Sequence, residues 1–233
     1  MRAFANLLGK EVRALFYSPI AYAVIAVFLL LMGYSFTLTL FINKYATLLH
    51  IFFQSAGLLM LIVPIITMRL FAEERKAGTL ELLLTAPVRE SQLVLAKYVA
   101  AMAVVLAMIA LTGLYAVVLG VYGTPEWGPI YSGYLGLALL SSTLVSLGLL
   151  ISALTSNQII AAIVTIGVSF MLWMIDSLAA MMPEALERVL ISLSLLARFT
   201  PFATGAMYTS DFAFFVSCTL FALFLAMRAL ARR

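Results

Sequence analysis

Long apolar stretches alternate with short charged or polar breaks along the whole chain. A helix crosses the hydrocarbon core of a bilayer with about 20 residues. No residue between Arg13 and Lys44 is charged, which predicts a first span at about Ile20–Ile42. The second, Ile51–Met68, ends at Arg69, and the third runs from about Leu95 to Gly120. From Trp127 to Ile175 nothing is charged, too long a run for one crossing. The polar cluster Thr155-Ser156-Asn157-Gln158 reads as a tight turn. It divides the run into Tyr134–Leu154 and Ile159–Met181. The sixth span is Phe212–Leu230, with Arg228 long enough to snorkel outward. These runs are continuous rather than alternating, which disfavours a β-barrel. The expected fold is therefore an all-α polytopic membrane protein with six transmembrane helices. Residues 1–233 read as one domain, without internal repeats or low-complexity tracts.

Three segments are not simple spans. Residues 1–16 predict an amphipathic helix with Phe4, Leu7, Leu8, Val12 and Leu15 on one face. Arg2, Asn6, Lys10 and Arg13 lie opposite, so the helix suits the inner interface, and Ser18-Pro19 ends it. Glu11 falls within the apolar face. It either meets a cation or donor from the protein or snorkels to water. Residues 69–94 form a cytoplasmic loop region. Span two can continue past the membrane as helix, with Arg69 and Glu73 paired at i, i+4. Glu74 stands beside them; Arg75 and Lys76 suit a helix C-terminus, and Gly78 suits the position just beyond it. Thr79 can cap a short new helix carrying Leu80, Glu81, Leu82, Leu83 and Leu84, which Thr85-Ala86-Pro87 stops. A new helix then starts near Arg89. An apolar helix held there needs a partner groove or the lipid interface, and the adjoining charges favour a protein partner. In the outer segment, 183–210, Pro183 suits a first helical position and Glu184 and Glu187 the first turn. Leu186, Val189, Leu190 and Leu193 line one face of a helix too short to span, so a re-entrant or interfacial helix is expected.

Composition sharpens this. The chain is 65% hydrophobic and 10% charged, with a mean hydropathy of +1.14. Soluble domains carry about 25% charge, so a soluble enzyme and a disordered protein are both excluded. The net charge of +4 does not point to nucleic acid, because the 14 basic residues cluster at the ends of apolar runs. With the N-terminus inside, the cytoplasmic segments hold eleven of them and the outer segments only Lys44, Arg188 and Arg198. Both termini are therefore expected in the cytoplasm. The stretch MRAFANLLGKEVRALFYSP mixes charged with apolar positions and is not expected to be a signal peptide. The single cysteine, Cys218, cannot form an intrachain disulfide.

Catalytic chemistry is scarce. One histidine, His50, rules out paired-histidine metal sites and any credible Ser-His-Asp set. Gly9-Lys10 lacks the other elements of a P-loop, so the chain is not expected to hydrolyse ATP. The middle of each span carries no ionisable group, which argues against an ion-coupled carrier. Asp176, near the outer end of span five, lines an outer cavity or, the preferred reading, simply sits at the interface; Asp211 opens span six. Tyr122, Trp127, Tyr131, Tyr134 and Trp173 read mostly as an interfacial aromatic belt.

The stretch MRLFAEERKAGTLELLLTAPVRESQLVLAKY resembles the signature of ABC-2 type permeases, the membrane subunits of ATP-binding-cassette transporters. KEVRALFYSPIAYAVIAVFLLLMGY and RFTPFATGAMYTSDFAFF resemble the gliding-motility-associated subgroup. The resemblance covers nearly the whole chain and implies roles for the odd segments. Residues 1–16 would be the elbow helix, about Thr79–Leu84 the coupling helix, and about Pro183–Thr209 the outer re-entrant segment. It further implies a multi-pass protein of the bacterial inner membrane, surrounded by lipid and paired with a second permease chain, expected to be a copy of itself. A dimer of ATPase subunits would lie below and carry ATP and Mg, with no cofactor on this chain. An extracytoplasmic auxiliary protein is a further possible partner. The function implied is a permease, expected to export. The alternative is an ATPase-driven scaffold that passes movement to an outer protein without moving a substrate. An intramembrane enzyme is disfavoured by the missing catalytic groups.

Overall fold

The computed structural model describes residues 2–40, 47–79, 90–179 and 182–231, with side chains from Phe4 onward. The described residues form ten helices and no strand. They are α1 (Arg2–Phe16), α2 (Pro19–Leu38), α3 (Leu49–Thr67), α4 (Arg69–Lys76) and α5 (Glu90–Tyr122), then α6 (Trp127–Leu154), α7 (Gln158–Ala179), α8 (Glu184–Leu193), α9 (Leu195–Thr204) and α10 (Thr209–Ala231). Six stretches are long and apolar enough to cross a membrane: α2, α3 continued by α4, α5, α6, α7 and α10.

The local breaks fall where the residues predict them. Ser18 has extended backbone and Pro19 opens α2, where a missing N–H costs nothing. Between α6 and α7, the Asn157 carboxamide oxygen accepts from the amides of Ile159 and Ile160, capping α7. Helix α5 starts at Glu90, close to the start expected near Arg89, and runs on as the third span; its 33 residues, about 50 Å at 1.5 Å each, outrun a hydrocarbon core of about 30 Å. One boundary differs from expectation: Pro183 stands one position earlier, as the residue preceding α8 rather than its first.

Helix α6 is the hub. It packs against α3, α4, α5, α7, α9 and α10. Small residues on its surface let these neighbours approach closely, as is usual where helices associate in lipid. Gly133 faces the Phe52 ring, Gly136 faces Phe202, and Gly148 faces Thr67. The apolar faces of α2, α7 and α10 are largely exposed: Leu30, Ile163, Met171 and Phe221 are examples. In a membrane protein such faces meet lipid rather than water.

The segment expected on the outer side, 183–210, divides into two unlike helices. All of α8 lacks buried residues, with Leu186, Val189 and Leu193 exposed. Helix α9 instead buries Leu195, Phe199, Phe202 and Ala203 against α6, α7 and α3. Ser194 caps it by accepting from the Ala197 amide, and Gly205 closes it at φ 95°, a left-handed conformation that glycine adopts without penalty. Part of the aromatic set is also inside rather than in an outer belt. Tyr134 packs edge-on against Phe52 and donates to the Thr112 carbonyl, and Trp173 packs on Phe199. Tyr122, Trp127 and Tyr131 are exposed.

Candidate functional site

The charged residues of α4 lie where it leaves the bundle. Its first turn needs donors satisfied, because Met68 before it cannot act as a side-chain cap. Ser152 on α6 supplies this from 80 residues away. Its hydroxyl accepts from the amides of Phe71 and Ala72, each at 3.1 Å, and donates to the Met68 carbonyl at 3.0 Å. A hydroxyl has one proton and two lone pairs, so its capacity is fully used. At the other end, the Ala77 amide donates to the Glu73 carbonyl and the Gly78 amide to the Arg75 carbonyl. Gly78 has φ 70°, as expected for the residue beyond a helix end. The Thr79 hydroxyl donates to the Glu74 carbonyl at 3.2 Å, so it also closes α4.

The carboxylates and cations meet in a cleft of about 410 Å³ between α1 and α4, lined by Glu11, Arg69, Glu73, Glu74, Thr79 and Lys97, among others. Lys97, near the start of α5, is only 2% exposed. Its ammonium donates to Glu74 Oε1 at 2.7 Å and to Glu11 Oε2 at 3.1 Å. It also stands 5.3 Å from the centre of the Phe71 ring. The question left open for Glu11 is thereby decided: it is buried and its partner is a protein cation. Burying one ammonium is tolerable here because two carboxylates and an aromatic face compensate its lost hydration.

The expected Arg69–Glu73 pair does not form; Glu73 is exposed, and the neighbouring Glu74 makes the ion pair of α4 described above. One residue along a helix is a rotation of about 100°, which turns Glu74 towards α5 and Glu73 away from it. Arg75 is partly buried on the same short helix. Leu80, Glu81, Leu82, Leu83 and Leu84 lie outside the described residues. Asp176 is half-buried and accepts from the amide of Ser177 at 2.9 Å. Another cleft, of about 330 Å³, is lined by Leu48, Phe52, Glu126, Pro129 and Ala203, and Asp176 is not among its described lining residues.

A model of ABC-2 family transporter proteins matches residues 42–227, well over half the chain. The chain belongs to the ABC-2 transporter family. No curated protein shows a significant match to it. As an ABC-2 permease it is a multi-pass, non-catalytic membrane subunit of an ABC transporter, in a family that associates with an ATPase subunit.

Two features of this permease site escaped the reading of the sequence. Lys97 counted only as one more cytoplasmic cation. The available signal was its place in an otherwise apolar helical stretch from Leu93 to Leu111, where a cation needs a protein partner. Ser152 gave no signal, since a serine in an apolar span is usually bonded within its own helix. A third arrangement joins α9 to α10. Arg198 on α9 donates to Asp211 on α10 at 2.7 Å and, through Nε, to the Ser192 carbonyl at 3.3 Å. Asp211 is only 4% exposed, so it is a structural ion pair and not merely the polar start of a span.

Proposed function

We propose that this permease couples ATP hydrolysis by a partner ATPase dimer to export of a substrate across the bacterial inner membrane. Both termini and α4 face the cytoplasm, and a second copy of the chain completes the pathway. The ATPase engages the segment beyond Gly78, about Thr79–Leu84. Its movement enters the bundle through α4. The observation that supports this reading most is the double anchoring of α4, by Ser152 to α6 and through Glu74 to Lys97 on α5. A short helix held at both its first turn and its side passes displacement on rather than absorbing it. ATP must bind one conformation of the assembly better than the other to drive the change.

Affinity purification of the tagged chain from its native host in mild detergent, followed by mass spectrometry, tests the reading. Stoichiometric recovery of a P-loop ATPase is the expected outcome. Recovery of the chain alone, with no effect of adding ATP-binding subunits encoded beside it, would sink it. Transport of a labelled substrate into sealed vesicles separates an exporter from a scaffold that only passes movement to an outer protein. Glu73→Lys is the cleaner uncoupling variant, since Glu73 is exposed. Reversal at Glu74 would instead place a second ammonium against the buried Lys97. Unchanged stimulation of ATP hydrolysis by the Glu73→Lys permease would count against coupling through α4.

A further inference from the structure

Helices α1 and α4 belong to different packing groups. Helix α1 lies along α5 and touches α2, whereas α4 packs on α6, α3 and α7. The cleft of about 410 Å³ opens between them. Across its floor Lys97 joins the two groups, bonded to Glu11 on α1 and to Glu74 on α4. The other charged groups facing Glu74 are weaker influences. Lys10 acts on it from a distance, and Arg69 and Glu73 line the same cleft. Lys97 is buried, so neither bond is screened by bulk water as an exposed pair would be. An amphipathic helix without such a tie is held by its packing and by the lipid interface alone, and both permit sliding.

We propose that Lys97 is a positioning residue that makes the N-terminal helix α1 travel with α4 as one body. The inference rests on the coupling reading above and adds a second route for the motion. A push on α4 reaches α6 through Ser152, and it reaches α5 and α1 through Lys97. Helix α1 is then part of the moving machinery rather than a passive anchor in the inner leaflet. The pairs persist through the cycle, because separating α1 from α4 would break one of them and leave a carboxylate in the cleft without its cation, the costlier loss being at the more buried Glu11.

The test uses the full chain in lipid nanodiscs, with Cys218→Ser and spin labels on cysteines replacing Arg13 on α1 and Lys76 on α4, both exposed. Lys97→Met alone would leave two carboxylates facing each other, and misfolding would confound it. The informative variant is the neutral triple Lys97→Met, Glu11→Gln, Glu74→Gln, which removes the charges while roughly keeping shape. The native protein is expected to show one narrow distance distribution, the same without nucleotide and with ATP bound to the co-purified ATPase. The neutral triple variant is expected to lose that single population and broaden towards longer distances, and Lys97→Arg to retain it. A triple variant with the native distribution would overturn the proposal. So would a native distribution that shifts on ATP binding, which would make the triad a switch that opens. If no ATPase co-purifies, the coupling reading fails, but the nucleotide-free comparison of native and neutral proteins still decides whether Lys97 ties α1 to α4.

Discussion

Gly148 of α6 and Thr67 at the end of α3 lie so close that a Cβ on the glycine would overlap the Thr67 side chain. Thr67 has little room to yield. It is fully buried, and its hydroxyl already donates to the Val63 carbonyl at 3.0 Å. The contact sits just before the break at Met68, so it sets how closely α6 approaches the base of α4. Gly148→Val should therefore destabilise the permease by about 1–3 kcal/mol through overpacking. A fall in the thermal transition of the detergent-solubilised protein measures it. Gly57→Ala, where nothing lies within 4 Å of a new Cβ, is the control and should leave the transition unchanged or raise it.

Ser152→Ala removes the acceptor for two amides of α4 and the donor to Met68. Leaving buried amides unsatisfied costs about 1–3 kcal/mol. The effect should be local. Hydrogen exchange at Phe71 and Ala72 should accelerate, while α10 keeps its protection. Equal acceleration throughout the bundle would show that Ser152 acts on global packing instead of on the first turn of α4.

The Arg188–Glu184 and Arg198–Asp211 pairs should respond very differently to loss of their arginine. Arg188→Ala breaks an exposed i, i+4 pair with Glu184 and should cost no more than about 0.5 kcal/mol. Arg198→Ala strands Asp211, whose side chain is 5% exposed, and should cost about 3 kcal/mol. Adding Asp211→Asn to Arg198→Ala should recover much of that loss, because a neutral amide is less costly to bury alone. Thermal unfolding of the three variants checks the order.

Gly78→Ala places an L-residue at φ 70°, which costs about 1–2 kcal/mol. The strain falls at the exit of α4. The expected result is a protein that assembles but stimulates its ATPase less. Intact stimulation, with a lowered melting temperature only, would confine Gly78 to a structural role.

What could be read from the residues was whatever is decided within a few positions of the chain. The six spans follow from runs of apolar residues long enough to cross a bilayer, and the turn at Thr155–Gln158 from a polar cluster between two of them. Ser18-Pro19 and Gly78 were legible because proline and glycine restrict or release their own backbone, whatever surrounds them. The amphipathic face of α1 follows from its period, and so did the anomaly of Glu11 within it.

Partners were not legible, because a partner is chosen by packing. The i, i+4 rule put Arg69 with Glu73, whereas the approach of α5 selected Glu74, one residue on, and supplied Lys97. Ser152 caps a helix some 80 residues away, and Arg198 reaches Asp211 across a reversal of the chain at Gly205. The sequence by itself determined a six-span membrane protein with charged helices between and beside its spans, because the bilayer acts on each segment separately. Only the tertiary structure decided which of those charges are buried and what they hold, because a desolvated charge takes the nearest opposite one that packing brings to it.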